Sequence, residues 1–263
     1  MSNIILDFYG LSCQPFSKNI AEKDIFESRA HKQAVGMLEL GVMSEDIMLL
    51  TGEIGIGKSV VLRSFMRSLD ADSYICLYLR GNCLSQTDLF KTILLELKIQ
   101  PPHFANNARQ EYYVRIDELG RKPVVIIDDS QDLKESALLG IKSMVNFDCD
   151  SKNKITFILA GQPELGQRIR MSHFYALRQR IKLALEMKKM SLEETCQYID
   201  HHTRILNRPN PIFSDDAKLD IFKKSQGVAR VINSLCYNAL ANGAINRIAI
   251  IDSQNLVTSD LHE

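Results

Sequence analysis

Eight residues constrain this chain more than any others. Gly52-Glu53-Ile54-Gly55-Ile56-Gly57-Lys58-Ser59 fits the pattern G-x-x-x-x-G-K-[ST] in full, with Val60 following. The apolar run Ile47 to Leu50 precedes it, which suits a buried parallel strand feeding a turn. From Lys58 to Leu69 the apolar residues recur at helical spacing, with Val61, Leu62, Phe65 and Leu69 on one face. A strand, a glycine-rich turn and a helix in that order aim backbone N–H groups and the positive end of a helix at an anion. In this Walker A reading Lys58 reaches the β- and γ-phosphates of ATP, and Ser59 offers a hydroxyl to Mg²⁺. The competing reading is a glycine-rich turn that matches by accident; two correct flanks and a partner motif downstream weigh against it.

That partner is Val124 to Asp129, an apolar run ending in two acids. A buried strand ending in a carboxylate presents it at the edge of a parallel sheet where ligands of open α/β folds bind. Asp128 is then the acid that orients Mg²⁺, and Asp129 is placed to polarise the attacking water. Aspartate is one methylene shorter than the glutamate usual at that place, so slow hydrolysis is expected. The alternative for Asp129 is a solvated turn residue. Gln162, after the apolar run Ile155 to Leu159, reads either as a sensor of the γ-phosphate or as an amide in a Gly-Gln-Pro turn. Arg178 and Arg180 read either as cations offered to a neighbouring subunit's γ-phosphate or as surface ion pairs.

Between these motifs strands alternate with helices: Tyr74 to Leu79, Gln86 to Leu97 with Ser85 or Thr87 as N-cap, a helix to Leu119 after Pro101-Pro102, and Ser136 to Val145. Strands apolar on both faces imply a parallel sheet covered by helices on each side. From Ser191 onward the signals are helical. One helix opens at Ser191 and runs toward Leu206, one is capped by Ser214, one begins after Gly227, and a last short one follows Asp252. The expected organisation is an N-terminal segment and helix (1–45), an α/β ATPase domain (46–189) and a helical lid (190–263).

Lys+Arg and Asp+Glu both number 32, so no global basic footprint points to nucleic acid, although a local patch would suffice. The six cysteines are scattered, without C-x-x-C or ligand spacing, which predicts buried thiols in a reducing compartment. No run approaches the roughly 20 apolar residues of a membrane span, and a cytoplasmic protein without a membrane partner is expected.

The order of motifs resembles the AAA+ ATPases of the secretion-ATPase (ExeA/GspA-like) family, from about Phe8 to Asn242. The resemblance rests on Tyr9-Gly10-Leu11 with Pro15-Phe16-Ser17, the two Walker motifs, Gly161-Gln162-Pro163-Glu164-Leu165, Leu177-Arg178-Gln179-Arg180-Ile181 and Gly227-x-x-Arg230-x-x-Asn233. It implies an AAA+ α/β fold with a small all-α lid, and Mg²⁺-dependent ATP hydrolysis. It also implies that Arg180, with Arg178 as second choice, is the trans-acting finger, that Arg230 is the sensor-2 arginine, and that Gln162 is near sensor 1. The adenine is implied to lie near Ile25 to Arg29. The departure is Asp128-Asp129-Ser130-Gln131 where the family has Asp-Glu-Ala-His/Gln. Asn146-Phe147, Asp150-Ser151-x-Asn153 and Phe157 to Pro163 look more like the transposon-encoded helpers related to TnsC and TniB. They imply a regulator of transposition that oligomerises as a ring or filament on double-stranded DNA and recruits a transposase. Arg80, Lys91 and Lys154 are its candidate DNA contacts, each of which reads in the first place as a solvated surface charge. The alternative is an assembly ATPase for secretion or pilus biogenesis acting on protein clients.

Overall fold

The computed structural model describes residues 4–17, 20–44, 46–147, 152–204 and 211–256. Asp150, Ser151, Cys149 and Leu206 lie outside the described residues. The chain divides into two compact units. One comprises His31–Ile54 and Lys58–Met187; the other comprises Met1–Ala30, Gly55–Gly57 and Lys188–Glu263.

In chain order the elements begin with α1 (Ile4–Tyr9), α2 (Arg29–Met43), β1 (Ile47–Thr51), α3 (Lys58–Ser68), β2 (Tyr74–Arg80) and α4 (Gln86–Glu96). They continue with α5 (Ala105–Glu118), β3 (Lys122–Asp128), α6 (Glu135–Met144) and the short pair β4 (Asn146–Phe147) and β5 (Lys152–Asn153). Then come β6 (Thr156–Gly161), α7 (Pro163–Arg170), α8 (Tyr175–Arg178) and β7 (Ile181–Glu186). Three longer helices follow: α9 (Leu192–Arg204), α10 (Asp215–Ser225) and α11 (Ala229–Ile245).

The first unit is built on a five-stranded sheet in the order β2-β3-β6-β1-β7, with every neighbouring pair parallel. The four apolar runs read from the sequence are its four inner or adjoining strands, β1, β2, β3 and β6. Strand β1 is buried along its whole length, as is β6. Each hydrogen-bonds on both sides, so neither face nor edge meets water, and the continuous apolar run is the result. Leu49, Val125, Ile127, Phe157 and Leu159 pack with Phe90, Tyr112 and Ile141 into one core. Helix α4 is started by a capping box: Ser85 Oγ accepts from the Asp88 N–H, and the Asp88 carboxylate accepts from the Ser85 N–H.

The fifth strand, β7, is one that apolar runs do not reveal. Its residues alternate half-buried and exposed, with Lys182, Ala184 and Glu186 facing outward. That is the period-two pattern of a sheet edge, Ile-Lys-Leu-Ala-Leu-Glu, and its signal is alternation rather than length. The five-stranded sheet thus ends on one side in an edge strand beside β1, Thr51 pairing with Glu186.

The second unit is helical. Ile5, Tyr9, Ile199, Phe213, Ile221, Ile232, Leu235, Cys236 and Leu240 form its core. Helix α9 starts with Ser191 Oγ accepting from the Glu194 N–H and Glu194 accepting from the Ser191 N–H, both at 3.1 Å. Ser214 caps α10 by accepting from Ala217. The opening residues, expected as a segment before a first helix, themselves include the helix α1, whose Tyr9 hydroxyl donates to the Ile248 carbonyl at 2.8 Å. Gly243 makes the room: a Cβ there would lie 2.1 Å from that hydroxyl.

Candidate nucleotide site at the carboxyl edge of the sheet

Parallel strands bring their carboxyl ends to one edge, and register decides which residues meet there. Thr51 pairs with Gly161 and Arg80 pairs with Asp128. Just past Thr51, the Gly52 N–H donates to the Gly161 carbonyl at 3.2 Å. The loop then climbs through Gly55 and Gly57, whose φ angles of +80° and +115° lie where L side chains are strained. Lys58 and Ser59 open α3. The Lys58 ammonium is buried, and donates to the Gly52 carbonyl at 2.6 Å and to the Glu53 carbonyl at 3.0 Å. These bonds fold the lysine back over the loop that its own backbone forms.

Asp128 sits at the end of β3, only 5% exposed. Its Oδ2 accepts from the Ser59 hydroxyl at 3.1 Å and from the Tyr78 hydroxyl at 2.8 Å, while Oδ1 accepts from the Asp129 N–H at 3.0 Å. A hydroxyl and a carboxylate thus converge from two strand–helix units, the oxygen donor set a Mg²⁺ ion takes with its waters. On that geometry the residues fit the ion.

Tyr78 is a site neighbour that the sequence reading did not single out. Its phenol is pushed up to about 12, first by burial and then by the hydrogen bond and charge of Asp128. It therefore stays a donor at any ordinary pH. The signal was present only in three dimensions, since β2 lies beside β3 in the sheet. Arg80, two residues on, sits at the same edge and acts on Tyr78 in the opposite sense.

Asp129 adopts a left-handed conformation, φ +53° and ψ +41°, and is exposed. Gly81 admits this turn, because a Cβ at Gly81 would meet the Asp129 carbonyl oxygen at 2.3 Å. The Asp129 Oδ1 accepts from Gln131 Nε2 at 3.3 Å, and Gln131 Oε1 accepts from the Gln162 N–H at 3.0 Å. Gln162 itself is the N-cap residue of α7 and makes no side-chain cap bond.

The remaining candidates are distributed. Arg178 donates to the Arg170 carbonyl at 2.7 Å and lies over the Tyr175 ring, 5.4 Å from its centroid. The Arg180 N–H closes the turn on Leu177. Lys91 donates to the His103 carbonyl at 2.8 Å, and Lys154 pairs with Asp117 beside the Phe147 ring. Both charges are engaged within their own unit.

In the helical unit, Arg230 stands in the first turn of α11 and is exposed. Its N–H donates to the Gly55 carbonyl at 3.0 Å, and a Cβ at Gly55 would lie 2.5 Å from the Arg230 Cβ. The segment from Ile25 to Arg29 lies against α9: Phe26 packs edge-on to Tyr198, and the Arg29 N–H donates to Glu194 at 2.8 Å. Among the described residues no group of His, Cys, Asp and Glu side chains forms a further metal cluster, and no helix is long and apolar enough to cross a membrane.

Comparison with known proteins agrees with this architecture. Residues 42–169 match the family model of the AAA domain. General secretion pathway protein A of Aeromonas hydrophila is 28% identical over 239 residues, which take in 89% of this chain and 44% of that protein. The chain thus spans less than half the length of the curated relative it matches. Cdc6p from Pyrobaculum aerophilum has a TM-score of 0.74 at 16% identity, covering 90% of this chain and 67% of its own. The Aeropyrum pernix ORC1 protein, solved in complex with DNA, gives 0.64 at 13% identity over 96% of this chain and 66% of its own. The Thermotoga maritima RuvB Holliday junction branch migration motor gives 0.60 at 19% identity over 92% of this chain and 71% of its own. At such identities the solved structures speak for the fold alone.

Over residues 42–169 the chain thus carries an AAA domain of the Walker ATPase type. Beyond that domain, most of its length is similar to the secretion-pathway A protein.

Proposed function

We propose that this protein is a Mg²⁺-dependent ATPase that couples nucleotide binding to assembly of a cell-envelope machine, with protein as its client. For the nucleotide the reading rests on one observation, the meeting of Ser59 and Asp128 at 3.1 Å beside the buried ammonium of Lys58. The loop N–H groups and Lys58 would hold the β- and γ-phosphates, and Ser59 with Asp128 would hold Mg²⁺. When bound, Mg²⁺ would neutralise charge on the phosphate oxygens. Asp129 would take a proton from the attacking water as its oxygen bonds to the γ-phosphorus. The bond to the bridging oxygen would break, and its electron pair would leave on ADP. Arg230 would act as the sensor-2 arginine, and Arg180, with Arg178 second, would serve a neighbouring copy's nucleotide. A trans-acting arginine has no phosphate to contact in a monomer, so assembly of several copies belongs to this reading.

For the client, the support is the 28% identity to the secretion-pathway protein across 89% of this chain. A second reading, a transposition regulator on double-stranded DNA, is supported by the motif resemblance of Asn146-Phe147 and Phe157 to Pro163. Duplex DNA binding by the purified protein, with ATP, with a non-hydrolysable analogue and without nucleotide, separates them. The secretion reading expects no nucleotide-dependent assembly on DNA. ATP-dependent rings or filaments on duplex would overturn it in favour of the second.

A further inference from the structure

We propose that Gln131 is a positioning residue for hydrolysis: its side-chain amide ties the Asp129 carboxylate to the end of β6, fixing where a water can be activated. This rests on the reading of Asp129 as the water-activating acid.

The bonding around Gln131 is directional. A primary amide carries donors at one end and an acceptor at the other. Here Nε2 donates to Asp129 Oδ1 at 3.3 Å, and Oε1 accepts from the Gln162 backbone at 3.0 Å. A flipped amide would set oxygen against carboxylate and N–H against N–H, so only one orientation satisfies both neighbours. The amide also has a built seat. Gly161 lacks the Cβ that would otherwise lie 2.7 Å from Gln131 Oε1. The turn carrying Gln131 is pinned from below, because Arg168 Nη1 donates to the carbonyls of Gln131 at 3.0 Å and Leu133 at 2.8 Å. Ser130, fully buried, donates from its hydroxyl to the Ile127 carbonyl at 2.7 Å.

Asp129 needs such a tether. It is exposed, its backbone is left-handed, and its side chain is about 1.5 Å shorter than glutamate by one carbon–carbon bond. An untethered short carboxylate would rotate in solvent. With Oδ1 held by Gln131, Oδ2 becomes the oxygen that orients the water. Because the far end of the amide holds the Gln162 N–H, the acid and the end of β6 move together.

The test uses the full chain with ATP and Mg²⁺, reading single-turnover hydrolysis of radiolabelled ATP and, separately, ATP affinity. Gln131→Ala should slow hydrolysis roughly 10- to 100-fold, as expected for a misplaced reacting group, with affinity changed less than about twofold. In an Asp129→Asn background the same change should cost nothing more, because the tether has lost its load. Gln131→His keeps one donor and one acceptor while neutral and should retain most of the rate. It should also add an acid limb near pH 6.5, where protonation removes the acceptor. A packing role would produce no such limb. Full turnover by Gln131→Ala, an equal loss in the Asp129→Asn background, or a pH profile unchanged in Gln131→His would overturn the tether. If Asp129→Asn itself hydrolyses ATP normally, the assignment of Asp129 fails and takes the tether with it. If Asp129→Asn is dead while Gln131→Ala is unaffected, the tether alone fails.

Discussion

The sheet's carboxyl edge and the helical unit hold their polar groups by opposite means. At the edge, backbone register does the placing: Asp128 stands where it does because β3 ends there between β2 and β6. Its partners, Ser59 and Tyr78, are single hydroxyls arriving from other elements. In the helical unit two buried groups, Lys218 and His202, are held by other side chains. Lys218, 6% exposed, is wedged against Asp200 at 2.8 Å and Asp215 at 3.4 Å. Burial opposes its charge, but the hydrogen bonds and charges of the two aspartates outweigh that and raise its pKa. His202 stacks on Phe16 with centroids 5.0 Å apart and packs against Tyr198 and His201. A group placed by backbone can change its chemistry without loss of fold, whereas a group placed by other side chains is part of what keeps its unit folded.

That contrast can be broken at several points. The largest effect is expected at the edge: Lys58→Ala should weaken ATP binding on the order of 100-fold or more, because several charge-assisted contacts of about 1.5–3 kcal/mol are lost together. Its thermal midpoint without nucleotide should stay near that of the wild type, and unchanged ATP affinity in a binding titration would refute the site. In the helical unit Gly227→Ala should do the reverse. Gly227 has φ +76°, and a Cβ there would lie 2.1 Å from the Met190 carbonyl oxygen. The left-handed penalty and the clash together cost about 3 kcal/mol, lowering the thermal midpoint by roughly 10 °C.

Acid provides the third probe. Burial, then the neighbouring charge of His201, lowers His202 from 6.5 to about 4. Between those values the unfolded chain binds more protons than the folded one, so stability is complete above pH 6.5 and declines as pH falls toward 4. By pH 5 the loss should reach about 2 kcal/mol. Hydrogen exchange in α9 should accelerate accordingly, and His202→Phe should flatten the dependence. An equally steep decline in that variant would locate the acid sensitivity elsewhere.

Smaller effects return to the edge. Tyr78→Phe removes one hydrogen bond to Asp128, worth about 1 kcal/mol, and should shift the Mg²⁺ concentration for half-maximal turnover roughly fivefold without moving the thermal midpoint. Asp129→Glu, which restores the longer acid, should leave ATP affinity intact and raise turnover by ~3-fold. A collapse of turnover would mean that the turn between Gly81 and Gln131 is built around the shorter side chain.

These positions also mark what the chain discloses in one dimension. The strand–turn–helix around Gly52 to Ser59, the two acids at the end of β3 and the caps at Ser85, Ser191 and Ser214 are legible because each is a local arrangement whose residues lie within a few positions. Strands β1, β3 and β6 were legible because burial on both faces leaves a continuous apolar run. Strand β7 carries no such run, since its edge position leaves only alternation. Helix α1 leaves no local signal either: six residues make a marginal helix, and what holds it is the packing of Ile5 and Tyr9 into a core formed by residues some two hundred positions away. Tyr78 and Gln131 acquire meaning only from strand order, which places β3 between β2 and β6.

The division into two compact units interrupts the loop Gly52 to Ser59 in sequence: Gly55–Gly57 group with the C-terminal helices, while Ile54 and Lys58 group with the sheet. For anyone recombining this chain with a relative, a graft of residues 188–263 alone would carry Arg230 away from the Gly55 carbonyl it was fitted to. The transplantable module is discontinuous, and the three loop residues have to travel with the helices.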